Sequence, residues 1–319
     1  MQYIINNTSP YAAESIIAPD KSVAAIVKVT CTFSPDGRVG IAPDQKPVLF
    51  GDVYAGDPGK SSIKYASDAV PEKSSTDISL IGHAYAPDKT PVSKLATALQ
   101  AGNNHKIVHV TGDRFWKWSL ISITKTRPKP FLKMPLLYER AFGGKDFTHK
   151  KEKKHEVYPA NPVGTGFVVN KTKQNINALR LANLENRKNE IKNWYDRPLP
   201  ACYGPININW HPRVKFVNKN AYDINPAIFN SAPPGLIDKG FFKGTEPITL
   251  VNLHPEKEHI KFNLPGIKIT TAFIYEHGTY KPEPKLDTLV IEPDENLFTM
   301  VYRSKINKKE QLKQINIYE

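Results

Sequence analysis

Apolar and polar residues alternate along several short stretches of the chain, and this alternation predicts β-strands. Residues 22–41 alternate on both sides of Asp36-Gly37, a residue pair that is common at tight hairpin turns. Residues 77–86 also alternate, and they place Gly82 on the same face as larger apolar residues. A small residue at such a position indicates that another part of the protein packs closely there.

Further stretches predict additional hairpins. Residues 92–111 fit both helical and alternating spacing, but the Gly-Asn-Asn sequence at 102–104 favours a turn and therefore a hairpin. Residues 114–124 are rich in aromatic and β-branched types, which favour strands. Near the C-terminus, 286–293 and 297–304 alternate around a turn and predict one more hairpin.

The middle of the chain differs in composition. Between about residues 127 and 266, proline and glycine recur at short intervals, so regular elements are expected to be scarce there. The best helix candidate is 174–193, with a patchy apolar stripe that includes Ile176 and Leu184. The final residues, 305–319, form a charged tail that is expected to be loosely ordered.

These patterns predict a mainly β protein with sandwich-like antiparallel sheets, long Pro/Gly-rich connections and few short helices. Proline supports this prediction, because 27 of the 319 residues are proline, above the usual share of about 5%. The length fits one large or two ordinary domains. We expect one domain over residues 1–304, followed by the tail at 305–319. Whether this domain divides into 1–126 and 127–304 stays open.

The sequence predicts a cytoplasmic location. The first fifteen residues lack a basic leader followed by an apolar stretch, and no apolar run approaches the roughly 18 residues of a membrane span. Cys31 and Cys202 lie far apart without metal-binding spacing, which fits a reducing compartment. Both thiols are expected to be buried and structural.

The chain is strongly basic, with 44 Lys and Arg against 31 Asp and Glu and a formal net charge of +13. Such a charge favours nucleic-acid binding in general. Here most cations are lysine, and the densest cluster, at 150–154, alternates with Glu and His and has no aromatic residue for stacking bases. We therefore interpret that cluster as a solvated loop.

Catalytic and metal-binding motifs are missing from the sequence. It has no GxSxG turn around a nucleophile, no HExxH pair for zinc, and no GxxxxGK[ST] loop for phosphate. His83 and His211 are interpreted as structural residues. We expect no catalytic residues, no metal and no cofactor.

Four clusters combine aromatic residues with charged residues and turn glycines, a composition typical of protein-binding hot spots. The same residues could instead brace loops through ion pairs between Asp113 and Arg114 and between Glu139 and Arg140. Both interpretations stay open. The candidates are Asp113, Arg114, Trp116, Tyr138, Glu139, Arg140, Phe142, Gly143, Gly144, Asn161, Pro162, Gly164, Gly166, Trp210 and Arg213.

At these clusters, and along residues 20–304 as a whole, the chain resembles the domain of unknown function 2169 family. This bacterial family is found beside type VI secretion genes. The chain departs from its pattern at APPGL (232–236) and LANLE (181–185), which puts those loops in doubt. The motifs that carry the resemblance are TDISLIGHAYAP (76–87), VTGDRFW (110–116), PFLKMPLLYERAFGG (130–144), NPVGTGF (161–167), PACYGPININWHPR (200–213), IFNSAPPGL (228–236), GTEPITLVNLHPE (244–256), FNLPG (262–266) and LDTLVIEPDENLFTMVYRS (286–304).

The resemblance implies a cytoplasmic adaptor or chaperone rather than an enzyme. Such a protein would bind a secreted effector, or an effector linked to a PAAR domain, and help to load it onto the VgrG spike. The expected partners are these proteins, with no membrane and no nucleic acid. Two alternatives remain: a hydrolase-like enzyme that uses carboxylates such as Asp113, Glu139 or Asp287, and a basic nucleic-acid-binding protein.

Overall fold

The computed structural model of the chain describes residues 4–217, 225–307 and 311–319. Within these ranges the chain forms twenty-five strands, one single-turn α-helix and seven short 3-10 helices. Most strand pairs are antiparallel. The prediction of a mainly β fold with antiparallel sheets and few short helices is confirmed.

The elements follow one another in this order. The strands are β1 Ile4–Asn7, β2 Ala12–Ile17, β3 Val23–Phe33, β4 Val39–Ile41, β5 Val53–Tyr54, β6 Ile63–Tyr65, β7 Asp77–Leu80, β8 His83–Tyr85, β9 Lys94–Ala101, β10 Asn104–Thr111, β11 Trp116–Trp118, β12 Ile123–Lys125, β13 Lys133–Pro135, β14 Phe142–Gly143, β15 Lys145–Asp146, β16 Glu156–Val157, β17 Thr165–Gly166, β18 Leu184–Glu185, β19 Pro247–Val251, β20 His259–Asn263, β21 Thr270–Tyr275, β22 Gly278–Tyr280, β23 Lys285–Glu292, β24 Leu297–Ile306 and β25 Leu312–Tyr318. The helix α1 is Lys173–Ile176, and the 3-10 helices are Pro87–Lys89, Tyr138–Arg140, Glu152–Lys154, Arg187–Asn189, Arg213–Phe216, Pro226–Phe229 and Pro293–Glu295.

A six-stranded sheet has the order β2-β3-β24-β23-β7, with β4 paired to the end of β3. Alternation along β3 puts Val27 and Val29 in the main hydrophobic core, while Lys28 and Thr30 lie on the opposite face. This opposite face carries polar side chains on the neighbouring strands as well, among them Arg303 on β24 and Asp77 on β7.

A five-stranded sheet, β18-β10-β9-β19-β20, contributes to the same core. Phe262 of this sheet stacks on Phe33 and on Phe298 of the six-stranded sheet, with ring centroids 4.7 and 5.4 Å apart. Side chains from the two sheets thus meet in one core, as in a sandwich. The hairpin predicted over 92–111 is confirmed, since β9 and β10 pair across a turn at 102–103. Cys31 and Cys202 are both buried free thiols.

The expectation of a loosely ordered C-terminal tail was wrong. The strand β25 lies inside a four-stranded sheet, β1-β25-β21-β22, where it pairs with β1 and β21. Ile315 and Ile317 are fully buried in the main core. The polar residues Lys313, Gln314 and Asn316 stand between the buried residues of this strand, so its sequence looks polar.

The helix predicted over 174–193 was also wrong beyond its first residues. Only Lys173–Ile176 is α-helical, with a separate 3-10 turn at Arg187–Asn189, and Ala178 adopts a left-handed backbone with φ of 64°. The apolar residues that follow are also buried, but the chain that carries them is extended. Part of it forms β18, which pairs with β10. Tertiary packing therefore overrides a weak helical pattern.

Strands β19 and β20 lie at 247–263, inside the region expected to be poor in regular elements.

Residues 112–197 surround a second, smaller hydrophobic cluster, and we call them the lateral segment. Its cluster consists of Trp116, Phe142, Phe167, Val168, Ile176, Leu181, Ala182 and Ile191. Among the described residues, no helix has the length and apolar character needed to cross a membrane.

Replacing Ile315 by Ala tests whether the C-terminal strand is part of the core. We expect Ile315→Ala to lower the free energy of unfolding by about 2–5 kcal/mol, the range for a fully buried Ile. The measurement is urea unfolding followed by circular dichroism. Lys313→Ala, an exposed change on the same strand, is the control and should leave stability nearly unchanged. Equal small effects of the two changes would show that the strand is not packed as described.

Candidate functional site

The residues singled out in the sequence contact other parts of the same chain. Asp113 Oδ1 accepts hydrogen bonds from Arg140 Nη1 at 3.2 Å and from Arg180 Nη2 at 2.5 Å. Asn183 Nδ2 donates to the same oxygen at 3.0 Å. Burial alone would raise the pKa of the Asp113 carboxyl, but the hydrogen bonds from Asn183 and Arg180 hold that pKa below its ordinary value.

The two ion pairs expected between sequence neighbours, Asp113–Arg114 and Glu139–Arg140, are not formed. Arg114 is buried and pairs instead with Glu185, which is distant in sequence. Glu139 and Arg140 are neighbours on the 3-10 helix Tyr138–Arg140, where adjacent side chains do not face each other, so each reaches a different partner. The charged residues therefore join separate chain segments rather than sequence neighbours.

Two chain segments cross at close range where β14 pairs with β17, and glycines make the crossing possible. A Cβ on Gly143 would lie only 2.1 Å from the backbone oxygen of Asn161. Asn161 is fully buried, and its side-chain amide donates hydrogen bonds to two backbone carbonyls of the other segment. Pro162 beside it is half-buried. The glycines at the crossing are Gly143, Gly144, Gly164 and Gly166.

The remaining candidates are packed inside the protein. Tyr138 and Trp210 are buried and meet edge to face, with ring centroids 5.6 Å apart. Trp116 and Phe142 belong to the cluster of the lateral segment. Arg213 is buried, donates hydrogen bonds to two backbone carbonyls, and has a pKa lowered by that burial. All of these contacts are internal.

The motifs form a groove on the polar face of the six-stranded sheet. It consists of two adjoining cavities of about 270 and 490 Å³. None of the fifteen sequence candidates lines either cavity. The residues that line both, and so join them, are Lys46, Lys64, Tyr65, Ile81 and Glu292.

Residues 46–68, which we call the covering segment, form the outer wall of the groove and are attached to the sheet by ion pairs. Lys28 Nζ lies 2.7 Å from Asp68 Oδ2, and both side chains are 7% exposed. Lys46 Nζ lies 2.5 Å from Glu292 Oε2, and Tyr65 donates a hydrogen bond to the same carboxylate. Because buried charges are strongly unfavourable without a partner, these pairs fix the segment in place.

Glu139 connects the groove to the motif PFLKMPLLYERAFGG. Its carboxylate accepts hydrogen bonds from Ser62 N at 2.7 Å and from Ser62 Oγ at 2.8 Å. Ser62 directly precedes β6, whose Lys64 and Tyr65 line the groove. Glu139 therefore positions one wall of the groove without lining it.

The end of the groove contains a hydrogen-bonded histidine. His83 Nδ1 lies 2.5 Å from Asp294 Oδ2, and Tyr85 donates to Asp294 Oδ1 at 3.0 Å. Burial alone would raise the pKa of the Asp294 carboxyl, but these hydrogen bonds lower it. A Cβ on Gly82 would lie 3.2 Å from Asp294 Oδ1. The close packing that the sequence indicated at Gly82 is thus confirmed.

Four of the motifs that carry the family resemblance meet in this groove, and the one at 228–236 contributes Ser231. The motif at 76–87 contributes Ile81 and His83, and the motif at 130–144 contributes Leu137. The motif at 286–304 contributes Glu292 and its neighbours. Pairing of β8 with β13 brings the motifs at 76–87 and 130–144 together. The groove therefore combines apolar side chains with charges that are already paired.

Sequence analysis missed most of the groove residues. Lys46, Lys64 and Tyr65 stand in a stretch without a recognised motif, and His83 was interpreted only as structural. The one available signal was Gly82 beside His83, since it indicated a close neighbour on that face. Within the described ranges, no group of three or more His, Cys, Asp or Glu residues could hold a metal ion.

Comparison with known proteins gives one match. A family model described as "Uncharacterized protein conserved in bacteria (DUF2169)" matches residues 19–303. No curated protein and no solved structure matches the chain.

Replacing Asp68 by Asn tests whether the ion pairs hold the covering segment. Asp68→Asn leaves the buried Lys28 ammonium without its counter-charge, so we expect the free energy of unfolding to fall by about 3–5 kcal/mol. Urea unfolding measures the change. Asp36→Asn is the control, since Asp36 forms an exposed ion pair with Arg38 and its loss should leave stability nearly unchanged. A similar result for both changes would contradict the assigned role.

Proposed function

The chain belongs to the DUF2169 family of bacterial proteins, and from this premise we propose that it is an adaptor for type VI secretion. In this proposal it binds a secreted effector, or an effector linked to a PAAR domain, and helps to load it onto the VgrG spike. We assign effector binding to the groove between the covering segment and the six-stranded sheet. The observation that supports this assignment is the meeting of four family motifs in one open groove.

The chemistry of the groove suits a polypeptide segment. Val53, Ile81 and Leu137 offer apolar contacts, which supply most of the energy in protein recognition. Lys64 and Glu295 are exposed at its walls and can contact polar groups of a bound segment. The two cavities lie near or within the range of about 300–1,000 Å³ that is typical of binding pockets, so together they can hold several side chains.

The groove is ordered before any partner binds. Its outer wall is attached to the sheet by the Lys28–Asp68 and Lys46–Glu292 pairs, and Glu139 holds Ser62 at the start of β6. A preformed surface loses less conformational entropy on binding, so more of the contact energy appears as affinity. The preformed groove therefore supports an adaptor function in which the groove binds a partner segment without a change in its own structure.

A hydrolytic function is the second candidate, because one observation favours it. His83 is oriented by Asp294 and lies in the groove, and a carboxylate that holds a histidine ring is a common arrangement for proton transfer. In this alternative the groove would bind a substrate rather than a partner. Failure to recover any partner with a folded protein would favour it.

Val53 and Val157 provide a matched test of the adaptor proposal. Val53 lines the groove and is 40% exposed, whereas Val157 lies outside both cavities and is 41% exposed. We expect Val53→Asp to weaken capture of the effector at least roughly tenfold, because a charge replaces an apolar contact. Val157→Asp should leave capture unchanged.

The measurement is affinity capture by the tagged protein in its own bacterium, with partners identified by mass spectrometry and quantified for each variant. Both variants are checked for unchanged melting temperature. Recovery of a toxin-like or PAAR-containing protein that is lost only with Val53→Asp is the expected result. Equal capture by both variants would contradict the assignment to the groove, and recovery of no such protein would contradict the adaptor function.

A further inference from the structure

The positive charge of the protein is concentrated in the lateral segment. Residues 112–197 contain nineteen Lys and Arg against eight Asp and Glu, a net charge of +11 out of +13 for the whole chain. All thirteen lysines of this segment are exposed. The excess positive charge therefore belongs to one stretch of the chain and is exposed there, while the rest of the chain is close to neutral.

The same segment carries the most exposed apolar side chains. Leu120 and Ile121 form the turn between β11 and β12, and they are 105% and 97% exposed. The flanking serines close this turn, because Ser119 N donates to Ser122 O at 2.9 Å and Ser122 N donates to Ser119 Oγ at 3.0 Å. The backbone of the turn is thus hydrogen-bonded, and both aliphatic side chains project outward from it.

Basic and aromatic groups surround the base of this hairpin. Lys117 and Lys125 lie on its two strands, and Lys171 Nζ lies 5.9 Å from the ring centroid of Trp118. Trp118 itself is partly buried against the cluster of the lateral segment. The hairpin surface is therefore apolar at its tip. Below the tip lie an aromatic ring and several lysines.

We propose that this hairpin docks the protein reversibly on an anionic lipid surface. Leu120 and Ile121 enter the boundary between headgroups and acyl chains, and the lysines contact lipid phosphates. A convex tip with two adjacent aliphatic side chains fits a deformable apolar layer, and the exposed lysines complement its negative surface potential. Docking of this kind needs no membrane-spanning segment, so the lack of a long apolar run in the sequence does not argue against it.

Nucleic acid fits the same surface less well. Proteins that bind single strands stack bases on exposed aromatic rings, whereas the two side chains at the tip are aliphatic and Trp118 below them is partly buried. The exposed ring nearby, Tyr195, packs edge to face against Trp194. Duplex binding uses mainly phosphate contacts and would leave Leu120 and Ile121 exposed to water. Lipid is the anionic partner that accounts for the tip and the charge together.

The test is co-sedimentation of the full chain with vesicles of phosphatidylglycerol, with phosphatidylcholine vesicles as the neutral comparison. We expect binding to phosphatidylglycerol that weakens steeply with added salt, and little binding to phosphatidylcholine. The double change Leu120→Ser and Ile121→Ser should weaken binding at least roughly tenfold, since both apolar contacts are lost. Lys117→Gln should weaken it roughly fivefold.

Ile107→Ser is the matched control, because Ile107 is a large exposed apolar residue, 51% exposed, on β10 outside the lateral segment. It should leave vesicle binding unchanged. Three results would each overturn the proposal: no binding to phosphatidylglycerol at low salt, equal binding by the double variant and the unchanged protein, or tight retention of DNA under conditions where vesicles are not bound. The result is independent of whether an effector partner is found.

Discussion

Buried ion pairs on the polar face of the six-stranded sheet determine how the rest of the chain is arranged. Lys28 pairs with Asp68, Lys73 with Asp77, and the pair Arg303–Asp287 completes the set, with every side chain at most 7% exposed. A sheet of this kind would normally leave its second face in water. Here that face is covered by long connections, and charges must be paired because they are shut off from solvent.

The groove follows from this constraint. Paired charges, together with Val48 packed against Ile26 and Val301, attach the covering segment at a few points rather than along its whole length, so space remains between the points of attachment. An apolar interface would instead close up, since apolar side chains pack to high density. Within the lateral segment, Asp113 joins stretches that are distant in sequence through Arg140 and Arg180. Ion pairs thus hold the outer wall of the groove and also contribute to the internal arrangement of the lateral segment.

Sequence analysis was accurate where local pattern and tertiary burial agree. The hairpins around Asp36-Gly37 and around 102–104 were predictable because alternation and turn residues point to the same structure. The C-terminal strand β25 was missed because the polar residues Lys313, Gln314 and Asn316 interrupt its buried Leu and Ile residues. The helix over 174–193 was predicted because spacing alone cannot reveal that an extended chain buries the same side chains.

The candidate residues were less predictable than the fold. Motif composition singled out Asp113, Glu139 and Arg140, but the residues that they contact lie far away in sequence and follow from tertiary packing. The groove depends on Lys46 and Lys64, whose surroundings in sequence carry no distinctive pattern. Cavities form between segments, so a single stretch of sequence does not define them.

Site-specific photo-crosslinking tests most directly whether the groove binds the effector. A photo-reactive residue in place of Lys64, which lines both cavities and is exposed, would be activated in the native bacterium and compared with the same residue in place of the exposed Lys257. We predict a crosslink from position 64 to a secreted effector or PAAR-linked protein, and none from position 257. A crosslink from position 257 but not from position 64 would contradict the assignment of effector binding to the groove.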